Sequence, residues 1–240
     1  MTNISAPAGI LVKTSLVDYP GRIACAFFFA GCNLRCPYCY NHGLVNDPFS
    51  ENLNSLQELC SHLEKRKGII SGLTLSGGEA LLNPETAEIT SYAKKIGYKV
   101  KIDTNGMFPE RLAFLFKNKE TSPDFIAMDL KTTPDRAPLL SKKLSPDEYI
   151  KKTSRTIEIL KSLPEDSWEI RTVLVPPLVS IENIDQLASF VPENASWQFA
   201  NFQNENCLNP DFCKIQPYPD SEADKIIQKA KKTVPKACLR

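Results

Sequence analysis

Short apolar runs alternate with longer stretches of helical spacing along almost all of this chain, and that alternation leaves few architectures open. The first run, IACAFFFAG at 23–31, is too short for a helix and ends at glycine, as a strand buried on both faces does. Runs at 72–78, 99–106, 124–131, 168–177 and 197–203 make six strand candidates in all. Between them, 55–67, 84–96, 109–119, 145–163 and 181–191 have helical spacing, several opening on Ser or Pro, and a last helix is expected near 221–232. This order predicts an α/β fold with a parallel sheet and right-handed crossovers. Six βα units are fewer than the eight of a closed barrel, so the expectation is an open sheet, a partial (β/α)6 barrel whose wide side accepts a large substrate.

No linker or charge block divides the sequence, so one domain over 1–240 is expected: a lead segment at 1–22, a core at 23–203 and a C-terminal extension at 204–240. Lys+Arg 29 against Asp+Glu 28 leaves a net charge of +1, which gives no electrostatic reason to bind nucleic acid or an anionic membrane. With no signal-like N-terminal segment and no apolar run of membrane-spanning length, a cytoplasmic location is expected. In that reducing setting the eight cysteines should be free thiols, serving metals, redox work or packing.

In parallel α/β folds the loops after the carboxyl ends of the strands build the site. Gly77-Gly78-Glu79, Asp103-Thr104-Asn105-Gly106, Asp129 and Lys131 fall at such ends. So does Cys32-Asn33-Leu34-Arg35-Cys36-Pro37-Tyr38-Cys39, a C-x3-C-x2-C run directly after the first strand. Three thiolates this close can wrap one face of an iron–sulfur cube and leave one iron open to a small molecule. A structural zinc site completed by His42 is the bland alternative, although zinc ligands usually come as two spaced pairs. Each strand-end residue has a structural alternative too. The Gly-Gly-Glu segment could be a plain turn, Asp103 a cap, Asn105-Gly106 a turn pair, and Lys131 and Arg171 solvated charges.

The cysteine run, with Tyr38 before its third cysteine, resembles the signature of the radical S-adenosylmethionine (SAM) superfamily. That resemblance implies a partial (β/α)6 barrel, a 4Fe-4S cluster held by Cys32, Cys36 and Cys39, and S-adenosylmethionine as cofactor. It also implies reductive cleavage of that cofactor to a 5′-deoxyadenosyl radical, so that the cluster and cofactor, not a protein acid or base, carry the chemistry. Leu75-Ser76-Gly77-Gly78-Glu79 looks like the family's glycine-rich segment, which holds the amino group of the methionine moiety, with Ala80 where the family usually has proline. The same resemblance puts Tyr38 against the adenine, Asp103 and Asn105 near the ribose or methionine end, and Lys131 and Arg171 near the carboxylate or ribose. Tyr40, also counted with the cofactor contacts, replaces the histidine common after the third cysteine.

The lead stretch GILVKTSLVDYPGR at 9–22 is similar to the opening of glycyl-radical-enzyme activases, particularly those labelled anaerobic ribonucleoside-triphosphate reductase activating proteins. Met128-Asp129-Leu130-Lys131 and the segment from Arg171 to Pro176 look like the activases' Asp-Leu-Lys and Arg-x4-Pro segments. The implied partners are a glycyl radical enzyme as protein substrate and a low-potential donor such as flavodoxin or ferredoxin. Lys13 to Arg22 could also merely be a β-hairpin sealing the barrel bottom. The cysteine-rich insert of some activases is missing, so one cluster is expected, and Cys207 and Cys213 form a remainder suited to a redox pair or a partner-facing loop. A small-molecule radical SAM enzyme acting on a pterin-like or nucleoside precursor, and a non-enzymatic iron–sulfur carrier, are the alternatives.

Overall fold

The computed structural model describes residues 5–46 and 52–240. In chain order its regular elements are β1 (Pro7–Ser15), β2 (Ala24–Phe29), α1 (His42–Asn46), β3 (Asn54–Ser55), α2 (Leu56–Arg66), β4 (Gly72–Gly77), α3 (Thr86–Lys95), β5 (Lys99–Thr104) and α4 (Pro109–Leu115). They continue with β6 (Phe125–Asp129), α5 (Pro146–Lys161), β7 (Trp168–Leu174), α6 (Ile184–Ala188), β8 (Trp197–Asn201), α7 (Asp220–Lys231) and β9 (Cys238–Leu239). The fold is α/β with a mostly parallel, open sheet. All six expected strands are present, as β2, β4, β5, β6, β7 and β8. No helix among the described residues is long and apolar enough to cross a membrane.

Two compact units make up the chain. One comprises the described residues of Met1–Asn33, Gly43–Thr104 and Glu110–Ile126; the other comprises Leu34–His42, Asn105–Pro109 and Ala127–Arg240. Strand β6 runs from the first into the second.

Within the first unit the strand order is β3-β1-β2-β4-β5, with β2, β4 and β5 parallel. Ala24, Cys25, Ala26 and Phe27 of β2 have no exposed surface, which is why that segment reads as an unbroken apolar run. Strand β1 lies antiparallel to β2, from Gly9 opposite Phe29 to Val12 opposite Ala26, so the hairpin joins the lead strand to the first core strand, and 13–22 spans the end of β1 and the connection instead of forming a hairpin of its own. The connection is pinned from inside: Thr74 donates its hydroxyl to the Asp18 carbonyl at 3.1 Å, and the Tyr19 ring, itself buried, covers Gly72. Helix α2 begins with a reciprocal cap, Glu58 N–H to Ser55 Oγ at 3.2 Å and Ser55 N–H to Glu58 Oε2 at 2.7 Å.

The second unit pairs β7, β8 and β9 in parallel, with Ile170 opposite Trp197 and Phe199 opposite Leu239. Trp197 has no exposed surface, and its indole N–H is satisfied by Thr172 Oγ1 at 3.0 Å.

Candidate functional site

In the first unit, parallel register sets two loops side by side. Because Phe29 lies opposite Gly77, β2 and β4 end together, and the chain leaves them as 30–32 and 77–79. Gly78 N–H donates to Phe29 O at 2.9 Å and Glu79 N–H to Gly31 O at 3.0 Å, stitching the Gly-Gly-Glu segment to the chain that carries Cys32. Gly77 has φ +110°, and a β-carbon there would fall 2.3 Å from the Phe29 nitrogen, so both its conformation and its surroundings require glycine.

Glu79 is buried. Its Oε1 accepts the Leu81 N–H at 3.1 Å, capping the short turn Ala80–Leu82, and the Thr104 hydroxyl at 2.8 Å. Asp103 lies near the carboxyl end of β5, in the same unit. One of its oxygens accepts from Ser76 Oγ at 2.9 Å, and the other pairs with the ammonium of Lys101, a side chain only 1% exposed. Lys101 and Asp103 are two residues apart on one strand and therefore share a face. Asp103 is thus held by Ser76 and Lys101.

The second unit holds Cys36, Tyr38, Cys39, Tyr40, Asn105, Asp129, Lys131 and Arg171. Asp129 gathers the two expected cations: Arg171 Nε lies 2.8 Å from one carboxylate oxygen and Lys131 Nζ lies 3.3 Å from the other. Desolvation by itself would raise the Asp129 pKa, but Arg171 and then Lys131 outweigh it and hold the carboxyl at about 2. Tyr38 is buried beside Cys36, Asp129, Lys131 and Tyr149, and its desolvation pushes the phenol well above its ordinary range. Tyr149 in turn donates its hydroxyl to Thr132 O at 2.9 Å.

Tyr40 is 40% exposed; its hydroxyl accepts the Gln203 N–H at 2.8 Å. Pro37 O accepts the Asn209 N–H at 2.9 Å, so the segment 203–209 holds the cysteine loop at two places. Asn105 uses its Oδ1 to accept the Met107 N–H at 3.0 Å, the turn role expected of an Asn-Gly pair.

All eight cysteines are free thiols, with Cys36 buried and Cys32 and Cys39 partly exposed. Among the described residues, no three His, Cys, Asp or Glu side chains are drawn together closely enough to hold a metal ion. The donor set nevertheless suits an iron–sulfur cluster better than any hard cation, being three soft thiols within eight residues and no carboxylate among them.

Residues 27–191 match the family described as the radical SAM superfamily, well over half the chain. The chain belongs to that superfamily. As a radical SAM enzyme it uses a 4Fe-4S cluster and S-adenosylmethionine. A Methanocaldococcus jannaschii protein named as a glycyl-radical enzyme activating enzyme is 29% identical over 233 residues, 96% of this chain and 94% of its own length. The pyruvate formate-lyase-activating enzyme of Clostridium pasteurianum is 32% identical over 185 residues, 73% of this chain and 72% of its own. Among solved structures, TYW1 with a bound lysine-pyruvate adduct shares the fold, with a TM-score of 0.61, 14% identity, and coverage of 88% of this chain and 74% of that one. The enzyme is therefore of the glycyl-radical activase type.

Sequence reasoning quoted Asp129, Ser76 and Thr104 within strand-end segments without counting them among the cofactor contacts, and passed over Lys101. Lys101 carried a signal: a charged residue inside a strand, two positions before an acid on the same face, has to be paired if it is buried.

Proposed function

We propose that this radical SAM enzyme generates a glycyl radical on a partner protein. The observation that carries the reading is the likeness to the Methanocaldococcus jannaschii activating enzyme, which runs over nearly the full length of both chains. The lead segment at 9–22 supports the glycyl radical enzyme of anaerobic ribonucleoside-triphosphate reduction as the first partner to try. A low-potential donor such as flavodoxin or ferredoxin, in the reducing cytoplasm, would supply electrons.

Bound to the chain, the cluster and S-adenosylmethionine supply a radical able to take a hydrogen atom from a glycine α-carbon. The chain's own residues bind and orient. Cys32, Cys36 and Cys39 hold the cluster through their thiolates. Gly77, Gly78 and Glu79 present backbone groups and a carboxylate to the cofactor's amino group, and Thr104 keeps that carboxylate in place. Asp103 and Asn105 take the ribose or methionine end. Lys131 and Arg171, aligned by Asp129, take the carboxylate or ribose hydroxyls, while Tyr38 lies against the adenine and Tyr40 follows the third cysteine as a further cofactor contact.

The test is anaerobic reconstitution with iron and sulfide, then dithionite and S-adenosylmethionine, with 5′-deoxyadenosine followed by chromatography. Addition of the ribonucleotide-reducing glycyl radical enzyme should produce the doublet of a glycyl radical in electron paramagnetic resonance, and Cys36→Ala should abolish it together with the cluster. Cofactor cleavage that yields no protein radical with any glycyl radical enzyme, yet is stimulated by a nucleoside or pterin precursor, would overturn the partner reading.

A further inference from the structure

A lysine seldom keeps its ammonium out of water, because the long stem lets the charge reach the surface. Lys101 of β5 does: its side chain is 1% exposed. Among the described residues the other buried charged side chains are Glu79 and Glu169, both acids. Parallel register places Lys101 directly opposite Thr74 of β4, and Asp103 and Ser76 lie two residues further along the same two strands. The four side chains therefore share one face of the sheet and form a polar block there. On the opposite face the same strands are apolar, with Leu73, Leu75, Val100 and Ile102 fully buried.

The block is ordered along the strands. Towards their amino ends Thr74 is spent on the lead segment, donating its hydroxyl to the Asp18 carbonyl at 3.1 Å. Towards their carboxyl ends, where the loops of the site begin, the Lys101 ammonium pairs with one oxygen of Asp103, and Ser76 Oγ donates to the other at 2.9 Å. With a bond on each oxygen, the carboxylate cannot turn about its own torsions without breaking one, so it is oriented before any cofactor arrives. Stability does not account for such a pair. Both partners belong to one strand, so the pair joins no two elements, and a buried ion pair can often be replaced by apolar side chains without loss.

We propose that Lys101 is a positioning residue for S-adenosylmethionine, holding the Asp103 carboxylate in the orientation in which it meets the ribose or methionine end of the cofactor. This rests on the reading above that gives Asp103 that contact. Lys101, buried and two residues further from the strand end, acts on the cofactor through Asp103 alone. Without the ammonium, a carboxylate only 13% exposed loses this counter-charge, and cofactor binding has to supply the ordering that the pair supplied beforehand.

The test measures equilibrium binding of radiolabelled S-adenosylmethionine to the cluster-loaded, unreduced chain under anaerobic conditions, beside iron content and the thermal transition. Lys101→Met keeps the length of the side chain and leaves no charge in its place. It should hold wild-type iron, melt within about 4 °C of the wild type and bind the cofactor about tenfold more weakly. Should it fail to fold, Lys101→Gln, which can keep a hydrogen bond to Asp103, replaces it with a loss of about threefold or more. Asp103→Asn and the double variant, which buries neither charge, complete a cycle. Once Asp103 is gone, Lys101→Met should change the Kd by less than about twofold. Wild-type affinity in Lys101→Met, whatever its melting temperature, would overturn the proposal, and so would a tenfold loss that persists in the Asp103→Asn background. Wild-type affinity in Asp103→Asn would instead overturn the contact assigned to Asp103, and the proposal with it.

Discussion

At Gly78 a β-carbon would stand 1.9 Å from the Gly31 carbonyl oxygen and 3.2 Å from the Cys32 β-carbon. The nearest obstacle is backbone, which cannot swing aside as a long side chain can, and it belongs to the chain that carries the first cluster ligand. Gly78→Ala should therefore destabilise by about 2 kcal/mol or more and lower the melting temperature by roughly 4–8 °C. The substituted chain should also retain less iron after reconstitution, measured alongside the thermal scan; wild-type iron and an unchanged transition would count against the close packing of these loops. Asp129 ties stability to acid pH. Its folded pKa of about 2 lies below the ordinary 3.8, so its contribution is fully present above about pH 4 and is lost as pH falls toward 2. With the side chain 31% exposed, solvent screening leaves roughly 1–2 kcal/mol. Urea midpoints measured between pH 5 and pH 2 should fall more steeply for the wild type than for Asp129→Asn, which has no carboxyl to protonate.

At the scale of elements, the parts that could be read in advance are those whose pattern repeats over enough residues to be seen. Strands β2, β4, β5, β6, β7 and β8 lie inside the expected runs because each is apolar on at least one buried face. Strands β3 and β9 have two residues each, too few to show a period, and exist only through pairing with β1 and β8. Helix α6 occupies only Ile184–Ala188 of the expected 181–191, since its start is displaced by a turn in which the Asn183 side chain accepts the Ser180 N–H at 2.7 Å. For the candidate site, the cysteines and the paired glycines were legible because sequence-local spacing identifies them. The Asp129–Arg171 pair was not, because its members are 42 residues apart and meet only through the fold. The cap of α2 was half visible, in a serine placed three residues before a glutamate. Ser55→Ala should cost about 1 kcal/mol and lower the melting temperature by roughly 2–4 °C, with little change in iron content because the cap lies outside the loops that carry the ligands. Calorimetry beside an iron assay checks both halves of that expectation.

At the scale of the whole molecule, the supply of thiols limits what the chain can hold. Eight cysteines would suffice in number for two four-ligand clusters, but their placement does not allow it. Cys25 is fully buried within β2, where desolvation pushes its thiol up to about 12, far from the thiolate that iron requires. Cys60 lies in α2 and Cys238 in β9, neither beside another cysteine of its own element. Cys207 and Cys213 offer only two ligands, and burial holds the Cys207 thiol up at about 11. One three-cysteine cluster is what remains, so the reconstituted chain should bind about four irons. Substituting Cys207 and Cys213 together by serine should leave that number unchanged, whereas Cys36→Ala should bring it close to zero. A wild-type value near eight irons, falling to four in the double variant, would instead make the C-terminal thiols ligands of a second cluster and end the single-cluster reading.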